Sequence, residues 1–391
     1  MRVAIAGGGI GGLVLARALA QRGIEADVYE QAGEHREIGA AVALSANGVR
    51  ELERLGLADG LAQISMTPSS LCIRRGVDGA LICREPIGED DTYRTAFGAP
   101  FYGVHRVPLL KLLADGVDPG RMHLGHRVVD VGREGRLGFA DGSDVSADVV
   151  VAADGVHSVL RRGLGFDNRA VFSATVGYRG LVPVNQLASL PEPTALQFWV
   201  GPGAHLLHYA IDGGTTINFL AVVRAGEWTG EGWMQACDPA ESAQRFAGWH
   251  PAVCEMVGAV STSARWALHA HVPLDRWHQG RVVLLGDAAH AMLPHQGQGA
   301  NQTIEDAVAL AVHLSVADAD PESLDAAFTR YHRQRRARTT RVQAYSRRVV
   351  RLTHAGPEGF ATRDRAFADV PAALAWIHGH DASAAAEAYV L

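Results

Sequence analysis

Gly7, Gly9 and Gly12 stand in a G-x-G-x-x-G spacing, and Glu30 closes the next apolar run. The first glycine permits a tight turn and the second lets backbone approach a pyrophosphate. The third lets a helix pack closely on a strand. The helix N-terminus then faces the anion, and Glu30 stands where a carboxylate accepts hydrogen bonds from a ribose diol. This spacing predicts dinucleotide binding. Two more strand ends carry an acid. Residues 149–153 run into Asp154 and Gly155, followed by Val156, His157, Ser158 and Arg161. Residues 282–286 run into Asp287, then into the loop Pro294, His295, Gln296, Gly297, Gln298, Gly299, Ala300 and Asn301. Such a glycine-rich loop would expose N–H groups at a helix N-terminus, which suits an anion or an electron-rich ring edge. Asp154 also has a plainer role open to it, capping a helix with Arg161 turned to solvent.

These residues need elements to hold them. Residues 2–6 read as a strand, 13–22 as a helix and 26–29 as a second strand. Residues 37–47 form a small-residue loop before a helix around 48–55. Residues 71–82 read as strand with a turn at Val77, Asp78 and Gly79, and 107–113 as helix. Residues 122–131 and 137–139 read as a hairpin with a turn at Asp141 and Gly142. From 171 to 223 the pattern changes to runs rich in β-branched and aromatic residues (175–184, 195–199, 205–211, 216–223), separated by proline and glycine. This predicts an antiparallel sheet inserted into the first domain. Helices are expected at 302–314, opened by Glu305, Asp306 and Ala307, and at 324–352.

In this order, G-x-G-x-x-G at 7–12, A-D-G-V-H-S at 153–158, and G-D-A-A-H with its downstream glycine loop at 286–301 resemble the three fingerprints of class A flavoprotein aromatic hydroxylases. These are single-component FAD monooxygenases of the para-hydroxybenzoate and salicylate hydroxylase type. The resemblance covers about residues 1–350. It implies an α/β fold: a discontinuous Rossmann-like FAD-binding domain (1–70, 100–172, 272–352), an inserted antiparallel β-sheet substrate domain (71–99, 173–271) and a C-terminal helical tail (353–391). It implies that Gly7, Gly9, Gly12 and Glu30 hold the ADP half of FAD, with Arg106 near the diphosphate and ribityl chain. Asp154 and Gly155 match the motif linked to FAD and NAD(P)H, and Asp287 matches the acid that bonds the ribityl chain. Pro294, Gly297, Gly299, Ala300 and Asn301 match the loop along the flavin ring.

The reaction implied uses NADH or NADPH to reduce FAD. O2 then adds to the flavin, and the hydroperoxide passes one oxygen to an aromatic or heteroaromatic substrate. A base that deprotonates a ring hydroxyl would raise electron density on that ring. His205 and Tyr209 share one face of a strand and His208 lies on the other, so either set could face a cavity. His295 is a further candidate base. Arg179 could bind a substrate carboxylate bidentately or brace the interface between domains. Alternatives on the same fold are epoxidation or halogenation, although the W-x-W-x-I-P run of flavin halogenases is absent. An FAD-binding sensor or interaction module is the alternative from another class.

Composition limits the partners. The 391-residue chain has a net charge of −6, 48% hydrophobic and 20% charged residues, and four cysteines. An acidic balance gives no field for nucleic acid. No apolar run reaches bilayer length and no signal-peptide pattern opens the chain. No C-x-x-C pair suggests a metal or a disulfide, so a reducing cytoplasm is expected, with the protein a monomer or homodimer. Arg330, Arg333, Arg335, Arg336, Arg338, Arg341, Arg347, Arg348 and Arg351 lie on one helical stretch, expected as a solvated face pairing with nearby acids.

Overall fold

The computed structural model describes residues 1–33, 41–166, 170–228, 233–260 and 263–390. Residues 34–40, which include part of the expected 37–47 loop, lie outside the described residues. Short runs of valine, alanine and leucine call for a sheet buried on both faces. They build a six-stranded sheet in the order His278–Gln279, Val282–Leu284, Val149–Ala152, Arg2–Ala6, Glu25–Glu30, Met122–Leu124. The edge strand His278–Gln279 is antiparallel and all the other pairs are parallel. Ala6, Ala152 and Leu284 lie in register, so the carboxyl ends of three strands fall on one edge.

Helix Ile10–Ala20 is buried nearly all round, between this sheet and helix Gln298–Ser315. Gly11 permits that closeness: a Cβ there would lie 2.5 Å from side-chain carbons of both Leu285 and Thr303. Gln298–Ser315 begins four residues before the expected position, because Gly297 adopts a left-handed φ of +62° and starts the helix itself. Gly299, Ala300 and Asn301 therefore form a first helical turn, and Glu305 and Asp306 lie in the helix interior. The 122–131 expectation is also corrected. Met122–Leu124 joins the six-stranded sheet beside Glu25–Glu30. Gly125, at φ +75°, then turns the chain into a separate three-stranded sheet of Val128–Val131, Arg136–Phe139 and Asp144–Ser146.

The second large sheet has eight strands, ordered Met234–Cys237, Ser263–His271, Ala170–Pro183, Thr216–Arg224, Ala204–Ile211, Leu196–Gly201, Ser70–Arg75, Leu81–Pro86. It is antiparallel except at one seam, where Leu196–Gly201 runs parallel to Ser70–Arg75. These two strands come from separate excursions of the chain, so no hairpin dictates their direction. Helices Phe360–Phe367, Val370–His378 and Ala382–Val390 close the fold. Among the described residues no helix is long and apolar enough to cross a membrane. None of their His, Cys, Asp and Glu side chains form a group that could hold a metal ion.

The long helix Pro321–Thr353 corrects the expectation for its arginines. Arg335 is fully buried, and its guanidinium donates to Asp306 Oδ1 and Glu305 Oε2, both at 2.6 Å. Arg338 donates to the same Glu305 from Nε and Nη2 at 2.6 and 2.7 Å. Burial opposes the charge on Glu305, yet the two guanidiniums hold its carboxyl well below the usual range. Breaking a buried pair leaves an uncompensated charge, which costs about 3–5 kcal/mol. Arg335→Met is therefore expected to lower unfolding free energy by that amount in urea titration. An unchanged midpoint and slope would show that the cluster contributes nothing to stability.

Candidate active site

The carboxyl edge of the six-stranded sheet gathers the expected cofactor residues. Glu30 closes one strand, and Gly7, Asp154 and Asp287 come just after the ends of the three strands beside it, spanning about 14 Å at ordinary strand spacing. Ligands bind at this edge of open α/β sheets. At one end, Gly7 has φ +121°, and a Cβ on it would overlap the Ala153 carbonyl oxygen. A Cβ on Gly12 would overlap the carbonyl oxygen of Gly7. Nothing lies within 4 Å of the Cβ position of Gly9, which precedes the first residue of helix Ile10–Ala20. The turn is thus closed where protein packs and open where an anion would sit. Glu30 is held at the strand end by the N–H groups of Gly8 (2.7 Å) and Ala32 (2.9 Å).

In the middle, Asp154 Oδ2 accepts from Val159 N at 2.7 Å and Leu160 N at 3.2 Å, the start of a short helix. Its Oδ1 is buried without a protein partner. Both roles considered for Asp154 therefore have a separate oxygen. Arg161 is not turned to solvent. It is buried, donating to Ala288 O at 2.9 Å and Val156 O at 3.0 Å, and so ties the Asp154 turn to the Asp287 turn. Gly155 has φ +77° with open space around it.

Asp287 follows Gly286, whose φ is +63°. It keeps an exposed edge, yet the protein packed around it pushes its carboxyl above the usual range. Arg106, first residue of helix Arg106–Ala114, lies close enough to pull the Asp287 carboxyl back down; burial lowers the pKa of Arg179, and Arg106 adds to that. Gly297 N donates to Pro294 O at 3.1 Å, which closes the loop around His295 and Gln296. Asn301 fixes that loop from behind. Its amide donates to Gly297 O (2.8 Å) and Ala43 O (2.9 Å), while its oxygen accepts from Ser45 N (3.0 Å). A Cβ on Gly299 would meet nothing within 4 Å. An orphaned carboxylate oxygen, an open helix N-terminus and an exposed acid along one sheet edge fit a dinucleotide cofactor.

Beyond the loop, the eight-stranded sheet presents one face to an apolar cavity. Sheet register places Arg179, Leu220, Leu207, Phe198 and Ile73 in a single row on that face. Leu207, Phe198 and Ile73 line the cavity, with Phe101 and Phe367 beside them. Its polar contributions come from the 295–298 loop, Thr353 and His378. His295 is 1% exposed, and both of its ring nitrogens lack a partner. Burial lowers its pKa to about 4. His205 stands edge-on to His295, with ring centroids 5.3 Å apart. Its Nδ1 lies 2.7 Å from His354 Nε2 and 3.3 Å from Thr353 Oγ1.

Tyr209 is buried on the same face against Gly103, and burial raises its pKa. Arg179 sits over the Trp266 ring at 5.8 Å, with Tyr209 near enough to affect its charge. His208 points to the opposite side of the sheet, stacked near Trp199, and is not brought to the cavity. Sequence reasoning did not single out Ser45, Asn47, Thr353, His354 or His378. The only signal for Asn47 was its place at a helix start, since its partners Gln298 and Glu305 are remote in sequence.

Comparison with known proteins agrees with this geometry. Residues 126–346 match the FAD binding domain family. A 3-amino-4-hydroxybenzoate 2-monooxygenase of Streptomyces platensis is 40% identical, covering 98% of this chain and 96% of the relative. The chain belongs to the FAD-dependent aromatic monooxygenases. Its fold matches a salicylate hydroxylase substrate complex at TM-score 0.84 and 30% identity, covering 100% of this chain and 98% of the other. It also matches Klebsiella pneumoniae HpxO complexed with FAD and uric acid, at TM-score 0.82 and 28% identity, covering 100% and 97%. This protein is thus a flavoprotein monooxygenase with FAD as its cofactor.

Two glycine variants separate folding from cofactor binding in this monooxygenase. Gly9→Ala is expected to leave the Tm of the apoprotein unchanged and to weaken FAD binding about tenfold or more, because the new methyl enters the space a pyrophosphate needs. Gly12→Ala is expected to lower both Tm and FAD affinity. Flavin fluorescence titration and thermal unfolding measure the two effects. Undiminished FAD binding by Gly9→Ala would place the diphosphate elsewhere.

Proposed function

We propose that the protein hydroxylates a small aromatic acid carrying a ring hydroxyl or amino group, using NADH or NADPH and O2 in a reducing cytoplasm. The observation that carries this reading is His295, a buried, unpartnered imidazole at the wall of an apolar cavity next to the cofactor loop. Names of similar proteins supply the substrate class: of the three reported above, one is an aminohydroxybenzoate monooxygenase and one a salicylate hydroxylase, while the third is complexed with uric acid. Bound FAD supplies the redox and oxygen-transfer chemistry. Gly7, Gly9, Gly12, Glu30, Arg106, Asp154, Gly155 and Asp287 would hold it, with Pro294 and Gly297 to Asn301 along its ring. We divide the chain into a discontinuous cofactor-binding part and an inserted sheet that carries the substrate face.

The chain's own residues divide the remaining work. Ile73, Phe198, Leu207 and Phe367 exclude water from the reacting ring. Neutral His295 accepts the proton of a ring hydroxyl, which raises electron density at the carbon to be hydroxylated. The resulting opposite charges attract strongly in a low-dielectric space. His205, fixed by His354 and Thr353, packs edge-on against His295 and restricts its orientation. Tyr209 keeps its proton at neutral pH, so it serves as a donor and not as the base. Arg179, in the row that continues from the cavity wall, would meet a carboxylate of the substrate.

NAD(P)H oxidation should rise when hydroxylated aromatic acids are added, with a product heavier by one oxygen atom. Peroxide with no oxygenated product from any such acid would remove the hydroxylase reading. His295→Ala should reduce kcat about 10²-fold, the usual scale for a lost general base. The pH profile carries the sign. An imidazole whose pKa is lowered stays neutral, and able to accept a proton, until the pH falls to about 4. The acid limb of kcat/KM should accordingly lie near pH 4. A limb near the ordinary histidine value of about 6.5 would assign the base to another residue.

A further inference from the structure

A second depression lies on the outer side of the cavity wall, between the long helix and the C-terminal helices. Its lining includes Arg341, Arg348 and Arg351 and no acidic side chain, on a protein whose net charge is −6. Arg348 and Arg351 are exposed, and neither forms an ion pair among the described residues. Arg341, Tyr345, Arg348 and Leu352 repeat at helical spacing, so one face of Pro321–Thr353 presents alternating cationic and apolar groups to this groove. Its opposite side is Trp376, whose ring meets Tyr345 edge-on at 5.8 Å and carries the Arg341 guanidinium at 3.9 Å.

Groove and cavity are not independent. Tyr345, Val349, Phe367 and Ala373 line both, so one layer of side chains divides them. The cavity itself is lined by no arginine, lysine or carboxylate. An aromatic acid reaching it must cross from a charged exterior to an apolar interior.

We propose that this groove is the vestibule through which an aromatic carboxylate reaches the cavity, with Arg348 and Arg351 capturing the anion and Tyr345 and Phe367 forming the partition it passes. The occupant is the substrate anion, because the lining pairs unneutralised cations with aromatic faces and leads directly to the substrate cavity. The inference rests on the substrate class proposed above. Positive charge at the mouth of a low-dielectric passage raises the local concentration of anions and their association rate by 10-fold or more, an advantage of about that order that salt removes.

The test is stopped-flow binding of 3-amino-4-hydroxybenzoate and of its neutral carboxamide to the FAD-loaded protein, followed by the flavin absorbance change, at low and high salt. In the double variant Arg348→Gln, Arg351→Gln the association rate of the acid should fall about tenfold at low salt. The difference should vanish at high salt, and the carboxamide should bind at the wild-type rate. Arg333→Gln, an exposed arginine on the same helix remote from the groove, controls for loss of positive charge. Unchanged acid binding in the double variant would overturn the proposal. So would equal slowing of acid and carboxamide, which indicates a disturbed cavity. Failure of the wild-type protein to bind either compound, or to oxidise NAD(P)H with any aromatic acid, would instead remove the substrate reading.

Discussion

Two neighbouring carboxylates, Glu305 and Asp306, are fully buried in the helix that starts at the cofactor loop. Buried charge is tolerated only where partners satisfy it completely. Here Arg335 bridges both, Arg338 takes Glu305 from a second side, and Asn47 donates to Glu305. Asp306 accepts in addition from His290 and from the backbone of Gly286. The cluster therefore holds the 41–47 segment, the Asp287 turn, the start of helix Gln298–Ser315 and the long helix in one arrangement. Removing one member of such a network leaves an uncompensated buried charge, so its members constrain one another's positions.

That geometry gives the site its two characters. Along the sheet edge, polar groups are fixed but incompletely used: one oxygen of Asp154, the outer edge of Asp287 and the open space at Gly9. On the other side of the 294–298 loop the walls are apolar, and the histidines are kept neutral by burial. A cofactor with a charged end and a flat apolar end spans such a boundary without leaving a buried charge unmatched. His295 lies at the boundary itself. The same long helix whose inner face neutralises Glu305 and Asp306 turns its outer face toward the groove beside the cavity.

The nucleotide half was legible in the sequence because its signals are local. Glycine spacing, an acid at a strand end and β-branched runs depend on neighbours a few residues away, so the turn from Gly7 to Gly12 and Glu30 at the end of the second strand could be read directly, whereas the order of strands across the sheet could not. The substrate half depends on contacts between distant segments. The alternation of His205, His208 and Tyr209 gave two possible faces, and only the register across five strands selects one. Composition suggested a solvated arginine helix, but the periodicity that turns Arg335 inward gains its meaning from Glu305 and Asp306 on another helix. His354 and Thr353 are invisible for the same reason: nothing nearby in sequence shows that a helix end meets strand Ala204–Ile211.

Three separate turns are proposed to converge on one FAD molecule. Hydrogen–deuterium exchange of the apoprotein before and after saturation with FAD tests this most directly. Slower exchange is expected in three segments together: 8–12, 155–160 and 296–301. Protection confined to the first segment would contradict it, since the cofactor would then be held by the nucleotide turn alone.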